Sequence, residues 1–293
     1  MDTTLNQNRP AVEVSGGTAT FTNCGIVVCA AEDTNGAAPA AAVAVSAGGT
    51  ANLESGYYGC LVENPFDGGY AVTTYTSGGN IVIGDGTTQP ILFAASAPAV
   101  YLYKNDNNPT VKSALTVNSG IIMGELANGD GATGNTISIN DGTFVVYTEA
   151  QLKSVIDNIA DGGDVGILID DDIQLSEAIT ISEDVTINLY GNDITVDIDV
   201  TSRLFTITNG ATLTIDDTSG AETLGSIKTT EGFALVEHGH LNVVTGTIED
   251  KNDNSEAATI MKKSKRQIEN LIYRSKNALK AELVKEGFSY EEL

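Results

Sequence analysis

The sequence contains no tryptophan and only 3 cysteines and 2 histidines among its 293 residues. An odd number of cysteines without a Cys-x-x-Cys pair excludes a disulfide framework and a cysteine zinc site. We therefore expect Cys24, Cys29 and Cys60 to be small, buried residues of a protein made in a reducing compartment. No Ser-His-Asp arrangement, P-loop or dinucleotide-binding fingerprint is present, so no familiar catalytic motif suggests an enzyme.

Basic residues are also scarce, with 15 Lys and Arg against 39 Asp and Glu, for a net charge of -24. This charge excludes a nucleic-acid partner for most of the chain, because a phosphate backbone requires a basic surface. No apolar run approaches the length of a membrane span, and the first residues lack the pattern of a signal peptide. We expect no membrane partner, and a protein that stays in the cytoplasm or leaves it by lysis inside a particle.

What the sequence does contain is 31 glycines and many short alternating runs rich in Thr, Val, Ile, Asn and Asp. Similar phrases recur at a steady distance: GTATFTN begins at Gly17, GTANLES at Gly49, GNIVIGD at Gly79 and GNTISIND at Gly134. A later series places VTINL, ATLTI and GHLNV at Val185, Ala211 and Gly239. Short strands repeating about every 25 to 32 residues are typical of a parallel β-helix, a solenoid whose coils stack on one another. A β-sandwich is the alternative.

One stretch, TEAQLKSVIDNIADGG at residues 148–163, has a helical pattern instead. Leu152, Val155, Ile156 and Ile159 follow the spacing of one helix face. Thr148 with Gln151 forms a capping box, and the Gly pair at 162–163 is a typical helix end. The pattern predicts an amphipathic helix near 148–160, and its place among β-runs suggests a lid over the open end of a solenoid.

Residues 144–197, FVVYTEAQLKSVIDNIADGGDVGILIDDDIQLSEAITISEDVTINLYGNDITVD, resemble the cap and first coils of the pectate-lyase-like superfamily. The resemblance extends to about residue 250. It implies an all-β protein, a right-handed parallel β-helix with a capping helix at its start. The prediction is thus an N-terminal β-repeat region at 1–143, a capped β-helix module at 144–250 and a helical tail at 251–293.

The tail differs chemically from the rest of the chain. Residues 256–293 hold 8 basic and 6 acidic residues, whereas residues 1–255 hold 7 basic and 33 acidic residues, so the net charges are +2 and -26. Apolar and basic residues occupy different faces of the predicted helix: Ile268, Leu271, Ile272, Leu279 and Leu283 on one face, and Lys262, Lys263, Arg266 and Arg274 on the others. The tail is predicted to cap the solenoid, to dock on another protein, or to join copies as a coiled coil.

Four groups of residues are candidate sites. Asp170, Asp171 and Asp172 suit calcium binding, carboxylate catalysis or a turn, and NGDGATGN at 128–135 suits a calcium loop or a turn. Glu237-His238-Gly239-His240 suits a metal site or turn histidines. The tyrosines at 57, 58, 70, 75, 101 and 103 suit a sugar-contacting ladder or a structural stack. We predict no catalytic, cofactor-binding or metal-binding residue and no cofactor.

An acidic repeat body, no export signal and a basic helical end together resemble β-helical bacteriophage virion proteins. This resemblance implies a structural capsid decoration, head-fibre or tail-appendage protein, located in the virion and assembled in the host cytoplasm. Its partners would be other virion proteins and further copies of itself, with a host surface glycan as a possible ligand. The alternatives are a polysaccharide-degrading or glycan-binding tailspike-like β-helix and a bacterial surface adhesin.

Overall fold

The computed structural model of the protein describes residues 10–28, 40–61, 69–95, 98–105, 108, 110–129, 134–196, 204–220, 224–229 and 235–250. Within these ranges the chain forms twenty-five strands and one helix. Before the helix the strands are β1 (Val12–Ser15), β2 (Thr18–Phe21), β3 (Cys24–Val28), β4 (Ala41–Ser46), β5 (Gly49–Leu53), β6 (Gly56–Cys60), β7 (Tyr70–Thr74), β8 (Gly79–Ile83), β9 (Ile91–Ala94), β10 (Val100–Leu102), β11 (Ala114–Val117), β12 (Ile121–Met123), β13 (Leu126–Asn128) and β14 (Thr136–Val146).

Helix α1 (Glu149–Ile156) follows β14 directly. After it come β15 (Ile159–Ile169), β16 (Ile173–Leu175), β17 (Ile179–Ile181), β18 (Asp184–Asn188), β19 (Ile194–Val196), β20 (Phe205–Ile207), β21 (Thr212–Asp216), β22 (Ser226–Thr229), β23 (Leu235–Glu237), β24 (His240–Val243) and β25 (Thr247–Asp250). None of the described residues belongs to a helix that is long and apolar enough to cross a membrane.

The strands form five ladders of hydrogen-bonded neighbours. Ladder 1 is β1-β4-β7-β10-β13, and ladder 2 is β2-β5-β8-β11 with the first part of β14. Ladder 3 is β3-β6-β9-β12, the second part of β14, then β15-β18-β21-β24. Ladder 4 is β16-β19-β22-β25 and ladder 5 is β17-β20-β23. The long strand β14 therefore belongs to two ladders and joins them into one sheet.

Every described strand pair is parallel, and the partners lie a moderate distance apart in sequence. The partners closest in sequence include Ile139 with Ile159, and the most distant include Ile83 with Val117. The predicted all-β class is confirmed, and the β-sandwich alternative is wrong because its sheets are antiparallel. The recurring phrases before residue 144 lie on ladder 2, and those after the helix lie on ladder 3.

Stacked apolar residues explain why these runs form ladders. In ladder 2 the register places Leu53, Ile83, Val117 and Ile139 on one another, and all four are fully buried. Their neighbours in sequence point outward, because successive strand residues alternate sides. The larger of the two apolar clusters among the described residues runs from Val14 to Ile227. Burial of each Leu or Ile contributes about 1.5–3 kcal/mol, so the stacked rows are the main stabilising feature.

The helix begins where the sequence predicts but ends earlier. The Thr148 hydroxyl accepts a hydrogen bond from the Gln151 amide at 3.2 Å, and Leu152, Val155 and Ile156 are buried. The predicted continuation to residue 160 is wrong, since Ile159 already pairs with Ile139 as part of β15. The predicted glycine end is wrong for the same reason. Gly162, at φ +77°, and Gly163 lie inside β15.

The helix occupies the position of a strand between ladders 1 and 4. On one side the Ser154 hydroxyl donates to the Leu126 carbonyl of β13 at 2.7 Å. On the other side the Glu149 carboxylate accepts from the Ser176 amide, next to β16, at 2.8 Å. The predicted lid on an open end is therefore wrong, because strands continue on both sides of the helix. Residue 144 lies inside β14, which pairs with β15 from Asp141 to Val146. The division into two folding units remains a prediction.

Candidate functional site: a polar groove on ladder 3

A shallow groove of about 160 Å³ lies on the outward side of ladder 3. It is formed by strands β15, β18 and β21, whose inward residues Val165, Val185 and Leu213 are buried in the core. Because side chains alternate along a strand, the residues on either side of these three point out into solvent. The outward residues that line the groove are Asp164, Asp184, Thr186, Thr212 and Thr214.

Carboxylates form one row of this groove, which we call the carboxylate row. Asp141 pairs with Asp164, and Asp164 pairs with Asp184. The row continues through Thr212, whose amide donates to the Asp184 carboxylate at 2.8 Å, to its partner His240. Adjacent strands are about 4.8 Å apart. Like charges at this spacing repel one another and concentrate negative potential on this side of the molecule.

Hydroxyl groups form the neighbouring row. The register aligns Thr143, Gly166, Thr186, Thr214 and Asn242, two residues further along each strand. The Asn242 amide donates to the Thr214 hydroxyl at 3.5 Å. Threonine hydroxyls both donate and accept hydrogen bonds, whereas carboxylates only accept them. Together the two rows can hydrogen-bond a ligand that carries several hydroxyl groups.

The row is less suited to a metal ion. Within the described ranges, no group of three or more His, Cys, Asp or Glu side chains is placed to hold one. Asp164 and Asp184 are exposed, and His240, although it lies in the same row, is separated from Asp184 by the strand that carries Thr212.

Several other carboxylates accept hydrogen bonds from backbone amides in turns of the chain and do not face the groove. Asp217 is 6% exposed and accepts from the amides of Gly191 at 3.0 Å, Ser219 at 2.9 Å and Gly225 at 2.6 Å. Burial raises the pKa of Asp217, but the hydrogen bonds from Ser219, Gly225 and Gly191 outweigh burial and hold the pKa below its ordinary value. The charged form of Asp217 is therefore a structural bridge between turns.

Asp193 forms a similar bridge between β19 and β22. Its carboxylate accepts from Lys228 Nζ at 2.6 Å and from the Ser226 amide and hydroxyl at 2.9 and 2.6 Å. Burial acts to raise the pKa of Asp193, and the hydrogen bonds from Lys228 and Ser226 lower it by more. Asp85 caps a turn by accepting from the amides of Thr88 and Thr87, which together lower its pKa.

The acidic and histidine motifs of the sequence occupy turns or lie apart. Asp170, Asp171 and Asp172 are exposed in the connection between β15 and β16, where Asp172 accepts from the Asp193 amide at 2.8 Å. His238 precedes β24 and His240 begins it, both exposed. The predicted loop at 128–135 includes residues 130–133, which lie outside the described residues.

The tyrosines separate into three environments. Tyr58 is fully buried, and its hydroxyl donates to the Ser55 carbonyl at 2.9 Å, whereas Tyr57 is 52% exposed. Tyr70 stacks on Tyr101 with ring centroids 4.9 Å apart, and Tyr103 meets the Tyr101 ring edge-on at 4.6 Å. Tyr70 is only 6% exposed and Tyr101 and Tyr103 are half-buried, so the three rings pack mainly against one another.

The predicted docking residues of the tail, in the segment 256–293, lie outside the described residues. Comparison of the chain with family models, with curated proteins and with solved structures finds no match. None of the residues that line the groove on ladder 3 was a candidate site in the sequence. Its one usable signal is the recurrence of Asp immediately before an alternating run, in DGTF, DVGI and DVTI at residues 141, 164 and 184.

Proposed function

We propose that the chain is a right-handed parallel β-helix and a structural protein of a bacteriophage virion. In this role it decorates the capsid or forms part of a head fibre or tail appendage, and the segment 256–293 docks it on the particle or joins copies. The observation that carries the proposal is a parallel stack with one continuous core, from Val14 to Ile227. Ladder 3 alone stacks nine strands, about 38 Å of body at about 4.8 Å for each step.

The use of the polar groups supports a structural role. Asp193 and Asp217 satisfy backbone amides of neighbouring turns, and Thr20 and Asn52 hydrogen-bond from one strand to the next at 3.4 Å. Bridges of this kind hold successive strands in register. They suit a protein whose task is to keep its shape outside the cell.

The charge distribution supports attachment by one end. The body carries -26 over residues 1–255, and the segment 256–293 carries +2. A basic amphipathic segment on an acidic body is suited to an acidic partner surface that repels the body itself.

The test compares particles assembled with the full chain and with a chain that ends at residue 255. Copies per particle are counted by quantitative mass spectrometry. We expect the truncated chain to be lost from particles. Incorporation equal to that of the full chain would contradict the docking role. Replacement of the exposed Asp161 by Asn, in the body, is the control that should incorporate normally.

The groove supports a second candidate, glycan binding or cleavage. Asp164 and Asp184 lie on adjacent strands with threonine hydroxyls beside them, a combination that can bind sugar hydroxyls and provide paired carboxylates. The purified protein should then bind or shorten one member of a panel of bacterial polysaccharides, and Asp164→Asn and Asp184→Asn should abolish this. Turnover of a glycan by the wild type would establish this function instead of a purely structural one.

A further inference from the structure

The outward side of ladder 3 is apolar in its earlier strands. The register aligns Tyr57, Ile91 and Ile121 in one row. It aligns Phe93, Met123, Val145 and Leu168 in the next. We call these seven residues the apolar stripe. Tyr57 is 52% exposed and Met123 is 43% exposed, and the other five are half-buried.

The outward residues further along ladder 3 and on ladder 2 do not share this composition. Further along ladder 3 the same two rows continue with Thr186 and Asn188. On the outward side of ladder 2, Thr50 and Asn80 are hydrogen-bonded at 3.3 Å. The stripe is therefore a local feature, and it is not the general character of the outer face.

Two aromatic rings make the stripe flat. A Cβ atom added at Gly25 would overlap the Tyr57 ring, and one added at Gly59 would overlap the Phe93 ring. Each ring therefore lies down on the glycine of the preceding strand instead of standing out from the sheet. Parallel sheets are normally covered on both faces, so a flat outward row of apolar side chains is suited to packing against another element.

The dimensions of the stripe indicate which kind of element can cover it. From β6 to β15 it crosses four strand spacings, about 19 Å, and its two rows are about 10 Å wide, which gives roughly 200 Å². A stable interface between two copies buries about 800 Å² on each partner. The stripe is too small for that, but its width matches one α-helix, about 10 Å in diameter.

The chain contains a segment of matching length. In the predicted tail helix, Ile268 and Leu283 are fifteen residues apart, a rise of about 22 Å. The described chain ends at Asp250 in β25, and β24, in ladder 3, is three strand spacings, about 14 Å, from β15. The seventeen residues 251–267 can span up to about 56 Å. The segment can therefore reach the stripe.

We propose that residues 256–293 pack as a helix along the apolar stripe. Ile268, Ile272 and Leu279 face the sheet, and Lys262, Lys263 and Arg274 face outward. The packing depends on this chain alone. The use of the outward basic side for attachment rests on the proposed function. The tests below involve no particle, so they can refute the packing without deciding whether the segment attaches the protein to one.

The first test is cysteine cross-linking in the full chain. Met123→Cys is combined in turn with Ile268→Cys, Ile272→Cys and Leu279→Cys, and disulfides are mapped by peptide mass spectrometry. We expect at least one of the three pairs to link. A link within one chain supports the proposal, whereas links found only between two chains would overturn it. The matched control combines Thr214→Cys, in the polar groove, with the same three partners. If Met123→Cys links to these partners no more than Thr214→Cys does, the proposal is overturned.

The second test is protease accessibility. Met123→Lys places a charge in the stripe and should release the segment, so trypsin should cut after Lys262, Lys263 and Arg266 roughly tenfold faster than in the wild type. Met123→Leu keeps the stripe apolar and should leave the rate unchanged. An unchanged rate in Met123→Lys, with circular dichroism showing an intact body, would refute the packing.

Discussion

Asp217 connects turns that are far apart in sequence, and its charge is essential to that connection. A neutral amide in its place keeps one acceptor oxygen and puts an NH₂ group opposite donating N–H groups, either those of Gly191 and Gly225 or that of Ser219. We expect Asp217→Asn to lower the free energy of unfolding by about 2 kcal/mol at pH 7, measured by urea denaturation. Asp161→Asn, at an exposed position, is the control and should change it little.

The pH dependence of this effect has a definite sign. The pKa of Asp217 is lowered in the folded protein, so its contribution is complete above the unfolded value of about 3.9 and declines as the pH falls through the folded value. The difference between wild type and Asp217→Asn should therefore shrink when the unfolding free energies are compared at pH 3. A difference that stays constant from pH 7 to pH 3 would show that the carboxylate charge is not responsible.

Position 56 requires glycine for two reasons, the positive φ of its backbone and the lack of space for a Cβ atom. Its φ is +107°, and a Cβ atom there would overlap the Cys24 carbonyl of the neighbouring strand. Gly86 has φ +84° and open space around the same position. We expect Gly86→Ala to cost about 1 kcal/mol and Gly56→Ala roughly 3 kcal/mol, measured as loss of unfolding free energy. Equal losses would show that the angle alone matters.

Among the elements, α1 shows which features local sequence determines. Its start was predictable because Thr148 and Gln151 act within three residues of each other. Its end was not, because Ile159 leaves the helical pattern to pair with Ile139 on another strand. Pairing between strands is a tertiary interaction, and it overrides the local preference of a short segment.

The carboxylate row was missed for a related reason. An Asp before each alternating run is visible in the sequence, but only the register brings Asp141, Asp164 and Asp184 side by side. The three aspartates are separated by fewer residues than the glycine-led phrases in the earlier half of the chain, so they do not follow the same sequence repeat. The contacts of Tyr70 with Tyr101 and Tyr103 likewise depend on the packing of β7 beside β10, which the local sequence does not show.

The repulsion within this row gives a prediction for ladder 3. Asp164 has a carboxylate on each neighbouring strand, so Asp164→Asn should raise the unfolding free energy by about 0.5 kcal/mol at low ionic strength. The gain should fall as salt screens the row. Urea denaturation at low salt and at high salt provides the measurement. A loss of stability at low salt would instead point to a bound cation or to a hydrogen bond that the wild-type carboxylate accepts.

For the whole molecule, stability should vary along the stack. Strands in the middle, such as β14 and β15, have partners on both sides, whereas β1 to β3 and β23 to β25 have a described partner on one side only. Hydrogen exchange should therefore be slowest for residues 139–169, and roughly tenfold or more faster for residues 11–28 and 235–250. Uniform protection from end to end would show that the stack unfolds as one cooperative unit.

The short reach of the strand pairing has a consequence for synthesis. Among the described strand pairs, none joins residues further apart in sequence than Ile83 and Val117. Each new strand can therefore pair with a strand in the segment that has just left the ribosome. The body can therefore assemble from its N-terminus during translation, with each new strand pairing to one that is already made.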